Sequence, residues 1–198
     1  MNKADWPPRT AENYYQEASN RIGAELADRF AAVKALVLDA DGVLTNGQLL
    51  YGPSGEALKA FHSRDGLGLV MTRIAGLRLA MLTGRPSEIV KCRCEELRFD
   101  TIKLGRFDKL PALAEISAEI GCPPAEMLYM GDDLVDLPVL LEVGLPVTVP
   151  EAPVEVREHC VYVTTANGGE GAVREVTDLV LKCQRLYATA LERLAQKA

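Results

Sequence analysis

Four short segments of this chain hold side chains that could act together on a phosphoryl group. They are Asp39-Ala-Asp-Gly-Val-Leu-Thr45, Thr83-Gly-Arg85, Lys109, and Gly131-Asp-Asp133 with Asp136 close behind. Each has an ordinary reading by itself. Asp-x-Asp-Gly suits a turn, Gly-Asp-Asp suits a helix N-cap, and a single lysine suits a solvated surface. Taken together, clustered carboxylates repel and call for a cation. Their oxygen ligands match a hard ion, Mg²⁺. An aspartate such as Asp39 could then attack phosphorus and carry an aspartyl-phosphate. Asp41, two residues on, could protonate the leaving oxygen and afterwards activate water. Thr83 and nearby backbone N–H groups could hold phosphoryl oxygens. Charge on the transferring group would be offset by the ion and Lys109.

The elements that must position these residues are legible as changes of period. Residues 1–10 read as a loose tail and 11–32 as one helix with Ile22, Leu26 and Phe30 on a face. Ala35–Leu38 is a continuous apolar run, as expected of a strand buried on both faces. Residues 45–61 read as a β-hairpin turning at Gly52-Pro-Ser-Gly55. Further strands are expected at 77–82, 101–104, 127–130, 146–149 and 161–164. Helices are expected at 67–76, 86–97, 108–120, 134–143 and 171–196. Strands alternating with helices predict an α/β fold: a Rossmann-like parallel sheet with helices on both faces. The chain divides into an N-terminal tail and helix, 1–32, and a single domain, 33–198, with the hairpin inserted. In such sheets the ligand lies beyond the carboxyl ends of the strands. The four segments above follow or flank those ends.

Composition bounds the function class. The chain has 198 residues, 48% hydrophobic and 25% charged, which is ordinary for a globular domain. Its net charge of −6 argues against non-specific nucleic-acid binding but says nothing about one pocket. Five cysteines without a Cys-x-x-Cys pair, and only two histidines, argue against a zinc site and point to reduced thiols. Neither a signal peptide nor a membrane-length apolar run is present, so a cytoplasmic protein with no membrane partner is expected.

Beyond these readings, the chain resembles a known family. Asp39-x-Asp-Gly-Val, Thr83, Lys109 and Gly131-Asp-Asp resemble the four motifs of the haloacid dehalogenase superfamily. Gly55-Glu-x-Leu-Lys-x-Phe, Arg64-Asp-Gly, Thr83-Gly-Arg and Gly168-Gly-x-Gly-Ala-Val-Arg-Glu narrow this to the capless 3-deoxy-D-manno-octulosonate 8-phosphate phosphatases. The resemblance implies a Mg²⁺-dependent hydrolase acting in synthesis of lipopolysaccharide or a related surface sugar. It implies Asp39 as nucleophile, Asp41 as acid–base and Lys109 as phosphate clamp. It places Mg²⁺ on Asp39, the Asp41 backbone oxygen and Asp132. It implies substrate contacts at Asp41, Thr45, His62, Ser63, Arg64, Asp65, Gly66, Arg85, Arg93 and Lys109. It further implies a homotetramer in which neighbouring hairpins pack together and cover a site that has no cap.

Some positions depart from the family pattern: His62, Val70, Thr164-Thr165 and Glu170. A relative acting on nine-carbon keto-deoxy sugar acids has Glu where Arg85 stands and shares Gly-Gly-Glu-Gly. Arg85 therefore favours the octulosonate, while Glu170 leans toward a nonulosonate 9-phosphate. A non-catalytic sugar-phosphate-binding subunit is a third reading, and the intact set Asp39, Asp41, Lys109 and Asp132 argues against it. Residues 183–198 form either a helix packed on their own domain or a tail reaching a neighbouring site.

Overall fold

Residue 7 and residues 9–196 are described by the computed structural model, so most of the expected N-terminal tail lies outside the described residues. The expected first helix is two: α1 (Ala11–Ile22) and α2 (Ala24–Ala31). Gly23 separates them at φ +85°, a conformation that ends the first helix and starts the second in a new direction.

β1 (Ala35–Leu38) is buried along its whole length, and so are the final four residues of β4 (Arg78–Leu82) and all of β6 (Met127–Met130). These apolar runs form the centre of a six-stranded sheet ordered β5-β4-β1-β6-β7-β8. Its flanks are β5 (Thr101–Lys103) on one side and β7 (Leu145–Thr148) with β8 (Tyr162–Val163) on the other. Every pairing in this sheet is parallel. The crossovers run through α3 (Ser63–Ile74), α4 (Glu88–Glu96), α5 (Lys109–Ile120), α6 (Leu137–Leu140) and α7 (Val154–Arg157). The chain winds outward from β1 through β4 to β5, then crosses to β6 on the other side of β1. That reversal of direction opens a crevice at the carboxyl end of β1.

Three further segments differ from expectation in detail. The hairpin is shorter than 45–61: β2 (Leu50–Gly52) pairs with β3 (Gly55–Leu58), and a bulge follows Leu50. Residues 45–49 instead belong to the loop leaving β1, where the Leu44 and Thr45 amides both donate to the Ala40 carbonyl. The expected helix 134–143 is a 3₁₀ turn, Leu134–Asp136, followed by the one-turn α6. Asp133 and Asp136 form a reciprocal capping box that tightens this start. The expected C-terminal helix is also two, α8 (Ala172–Cys183) and α9 (Tyr187–Ala195). Arg185 adopts φ +59° at the break, and the Gln184 amide donates to the carbonyl of Val33 at 2.7 Å. α9 then folds back onto its own chain: Tyr187 packs on Tyr14 with 4.8 Å between ring centroids, and Arg193 donates to the Ile74 carbonyl at 2.9 Å. All five cysteines are unpaired. Among the described residues no helix is long and apolar enough to cross a membrane.

Candidate active site

Asp39 is the first residue past β1. Its amide still pairs with the Met130 carbonyl, so the sheet ladder holds its backbone rigid up to the side chain. The side chain is buried. Oδ1 accepts from the Ala40 amide at 2.7 Å, and Oδ2 lies 3.0 Å from Lys109 Nζ. Lys109 starts α5, where a cation opposes the helix dipole. Two carboxylates outweigh that cost: Asp39 on one side and Asp136, 2.5 Å from Nζ, on the other. Burial pulls the Lys109 ammonium down, but the two aspartates overcome this and leave its pKa above the ordinary lysine range. Lys109 is therefore charged at neutral pH.

Asp136 is fully buried and both its oxygens are engaged. Oδ1 accepts from Lys109 and from the Tyr129 hydroxyl at 2.5 Å; Oδ2 accepts from the amides of Asp132 and Asp133 at 2.9 and 3.1 Å. This residue fixes both the lysine and the loop bearing Asp132. Burial, reinforced by Asp136, raises the Tyr129 pKa well above that of a free tyrosine, so Tyr129 stays a donor. The sequence places Tyr129 and Asp136 on either side of Gly131-Asp-Asp133 without giving either a task.

Asp39, Asp132 and Asp136 each offer a carboxylate oxygen within 4.8 Å of the others. Burial and the charges of Asp39 and Asp136 push the Asp132 pKa up to about 8. Burial also pushes Asp39 up to about 6, with Lys109 opposing and Asp136 adding to the rise. A group of acids that resists ionisation in this way is completed by a divalent cation. The all-oxygen donor set suits Mg²⁺. Gly42 shapes the space around it. At φ +82° it holds a backbone that other residues adopt at a cost, and a Cβ there would stand 1.9 Å from an Asp132 oxygen. The residues present fit the ion. Because Asp136 has no free oxygen, Asp39 and Asp132 are the side chains available to it.

Asp41 is half-buried and faces two cations. Oδ1 pairs with Lys59 Nζ, and Oδ2 lies 3.6 Å from Arg85 Nε. Thr83 is buried at the end of β4, where its amide and carbonyl bind Lys103 and Arg106 and so brace the adjoining loop. Arg85 also reaches the hydroxyl of Tyr51 on the hairpin.

The remaining expected contacts divide. Ser63 and Arg64 are exposed, Arg85 is half-buried, and Arg93 rests over the Phe61 ring, 5.7 Å from its centroid. Gly66 leaves room for that arginine, since a Cβ there would meet its guanidinium at 2.3 Å. His62 and Arg64 line a cavity of about 360 Å³ together with Glu170, Gly171 and Arg174. By contrast, Thr45 and Asp65 are buried, and each makes hydrogen bonds within the protein. The Thr45 hydroxyl donates to the Ala40 carbonyl and accepts from the Gly47 amide. Asp65 is 1% exposed and accepts from the Arg174 amide at 2.7 Å, which caps α8.

A model of the haloacid dehalogenase-like hydrolases matches residues 101–176. The 3-deoxy-D-manno-octulosonate 8-phosphate phosphatase of Yersinia pestis is 37% identical over 86% of this chain and 91% of its own length. This chain belongs to that phosphatase family. The Haemophilus influenzae phosphatase is 40% identical over 77% of this chain and 84% of its own. Among solved structures, the Moraxella catarrhalis phosphatase in complex with magnesium, phosphate and KDO superposes with a TM-score of 0.81 at 37% identity, covering 88% of this chain and 98% of that one. A cobalt-bound phosphatase from Haemophilus influenzae gives 0.77 at 38% identity, covering 79% and 91%.

Proposed function

We propose that this chain hydrolyses 3-deoxy-D-manno-octulosonate 8-phosphate to the free sugar acid and inorganic phosphate. The observation that carries the reading is a single cluster at the end of β1. Asp39 is paired with the buried Lys109 and lies in one carboxylate cluster with Asp132, and this lies within a family whose members bear that phosphatase's name.

In this reading Asp39 attacks phosphorus and the bond from phosphorus to the sugar oxygen breaks. Asp41 gives a proton to the departing oxygen. It then takes one from the water that cleaves the aspartyl-phosphate, restoring Asp39. Lys109, held by Asp136, stays beside Asp39 throughout. Asp39, the Asp41 backbone oxygen and Asp132 would hold Mg²⁺, which when bound supplies positive charge against the phosphoryl oxygens. Thr83 and the adjoining amides receive those oxygens. His62, Ser63, Arg64, Arg85 and Arg93 are the candidates to hold the sugar acid, arginine being suited to paired contact with a carboxylate.

A homotetramer belongs to the same proposal. Leu49, Leu50, Tyr51 and Leu58 are exposed apolar side chains in and beside the hairpin, a surface that a second copy could cover. Cytoplasmic location and a role in lipopolysaccharide synthesis complete it. The test compares kcat/KM for the octulosonate 8-phosphate and a nonulosonate 9-phosphate, with Asp39→Asn as control. Preference for the octulosonate and loss of turnover in the variant are expected. Equal or reversed preference overturns the substrate assignment, and full activity in Asp39→Asn overturns the nucleophile.

A further inference from the structure

Lys59 is assigned no part in the scheme above, yet its side chain is completely removed from solvent. A buried ammonium persists only with anionic partners. Lys59 has two: Asp41 Oδ1 and, at 3.1 Å, Glu56 Oε1. Glu56 is itself held by the hydroxyl of Ser87, the N-cap of α4. Arg85 approaches the other Asp41 oxygen at 3.6 Å and is tied to Tyr51. Asp41, Glu56, Lys59 and Arg85 thus form a charge-balanced group joining the loop after β1 to the hairpin and to α4.

We propose that Lys59 is a positioning residue for Asp41. It holds the carboxylate in the orientation from which it serves the leaving oxygen, and the hairpin fixes Lys59 in turn. This rests on the proposed role of Asp41. Without Lys59, Asp41 and Glu56 would be adjacent carboxylates with only Arg85 between them, and repulsion would turn Asp41 away. Substrates that need their leaving oxygen protonated should suffer most. Substrates that depart as stable anions should suffer little.

The experiment measures kcat/KM, which reports formation of the aspartyl-phosphate and not its later hydrolysis, for the wild type, Lys59→Met, Lys59→Gln and Lys59→Arg on the sugar acid 8-phosphate and on p-nitrophenyl phosphate, at saturating Mg²⁺. The expected result for Lys59→Met is a loss of about 10²-fold on the sugar phosphate, the scale of one misplaced acid–base group. The loss on the aryl ester should be under about fivefold, with the Mg²⁺ requirement unchanged. Lys59→Arg should recover most of the difference. If Lys59→Met does not fold, Lys59→Gln is read in its place. Equal losses on both esters would show a merely structural role and overturn the proposal, as would no loss on either. A wild type active on both esters, with such equal losses, leaves the proposed function standing while this inference falls. A wild type inactive on both ends both.

Discussion

Asp136 is the residue on which the geometry of the others depends. It binds Lys109, Tyr129 and the two amides of the Asp132 loop from a fully buried position. Removing its charge leaves the buried Lys109 ammonium with Asp39 as its remaining carboxylate partner, and breaking a buried pair costs up to about 3–5 kcal/mol. Asp136→Asn should therefore lower unfolding stability by that amount in urea titration as well as reduce turnover. A loss under about 1 kcal/mol would mean that Asp39 alone is enough to hold the Lys109 charge. Gly42 makes a second test. In Gly42→Ala a methyl group would press on the Asp132 carboxylate at a backbone angle unfavourable to alanine. The Mg²⁺ concentration for half-maximal activity should rise about 10–100-fold, the range for residues that orient metal ligands. An unchanged Mg²⁺ dependence would remove Asp132 from the metal site.

At the scale of elements, the loop ends of β1, β4 and β6 deliver the chemistry, and helix packing holds them still. Asp65 illustrates the division. Its position beside Arg64 and Gly66 suggests a substrate contact, but it is buried against the first turn of α8 and docks α3 there. Asp65→Ala should cost about 1–2 kcal/mol, as other lost caps do. Asp65→Asn keeps an acceptor for the Arg174 amide, so its KM for the sugar phosphate should match the wild type. A several-fold rise in KM for Asp65→Asn would return this residue to the substrate site. The hairpin plays two parts at this scale: its inner residues Glu56 and Lys59 reach toward Asp41, while Leu50 and Leu58 remain exposed. Leu50→Asp with Leu58→Asp should shift the mass seen by light scattering from tetramer to smaller species. A wild type that is monomeric at working concentration sinks the shared-site proposal.

For the whole molecule, the acid cluster links stability to pH. Asp39 and Asp132 have folded pKa values of about 6 and about 8, above the ordinary 3.8 of an aspartate. Protonation thus favours the folded, metal-free protein. That contribution is complete below pH 4 and is lost as pH rises toward 8, by at most about 1.4 kcal/mol per pH unit for each group titrating. In chelator, the Tm should be lower at pH 8 than at pH 6 as far as these two groups are concerned. Added Mg²⁺ should raise the Tm more at pH 8, where the carboxylates are free of protons. An equal Mg²⁺ shift at both values would show that these aspartates do not take up protons when the ion leaves.

The sequence alone determined the parallel α/β sheet, because strands buried on both faces read as unbroken apolar runs. It also marked Asp39, Asp41, Lys109 and Asp132 as candidates, because each lies at or just beyond the end of such a run or opens the next helix. Gly23 and Arg185 broke two helices whose apolar stripes ran on without interruption, since periodicity reports a face and not a bend. Only the tertiary structure decided which charges meet. Lys59 and Asp41 are 18 residues apart, Lys109 and Asp136 27, and Arg174 and Asp65 109. Nothing local marks such pairs. They exist because the sheet brings distant loops to one edge, where burial makes each unpaired charge costly enough to require its partner.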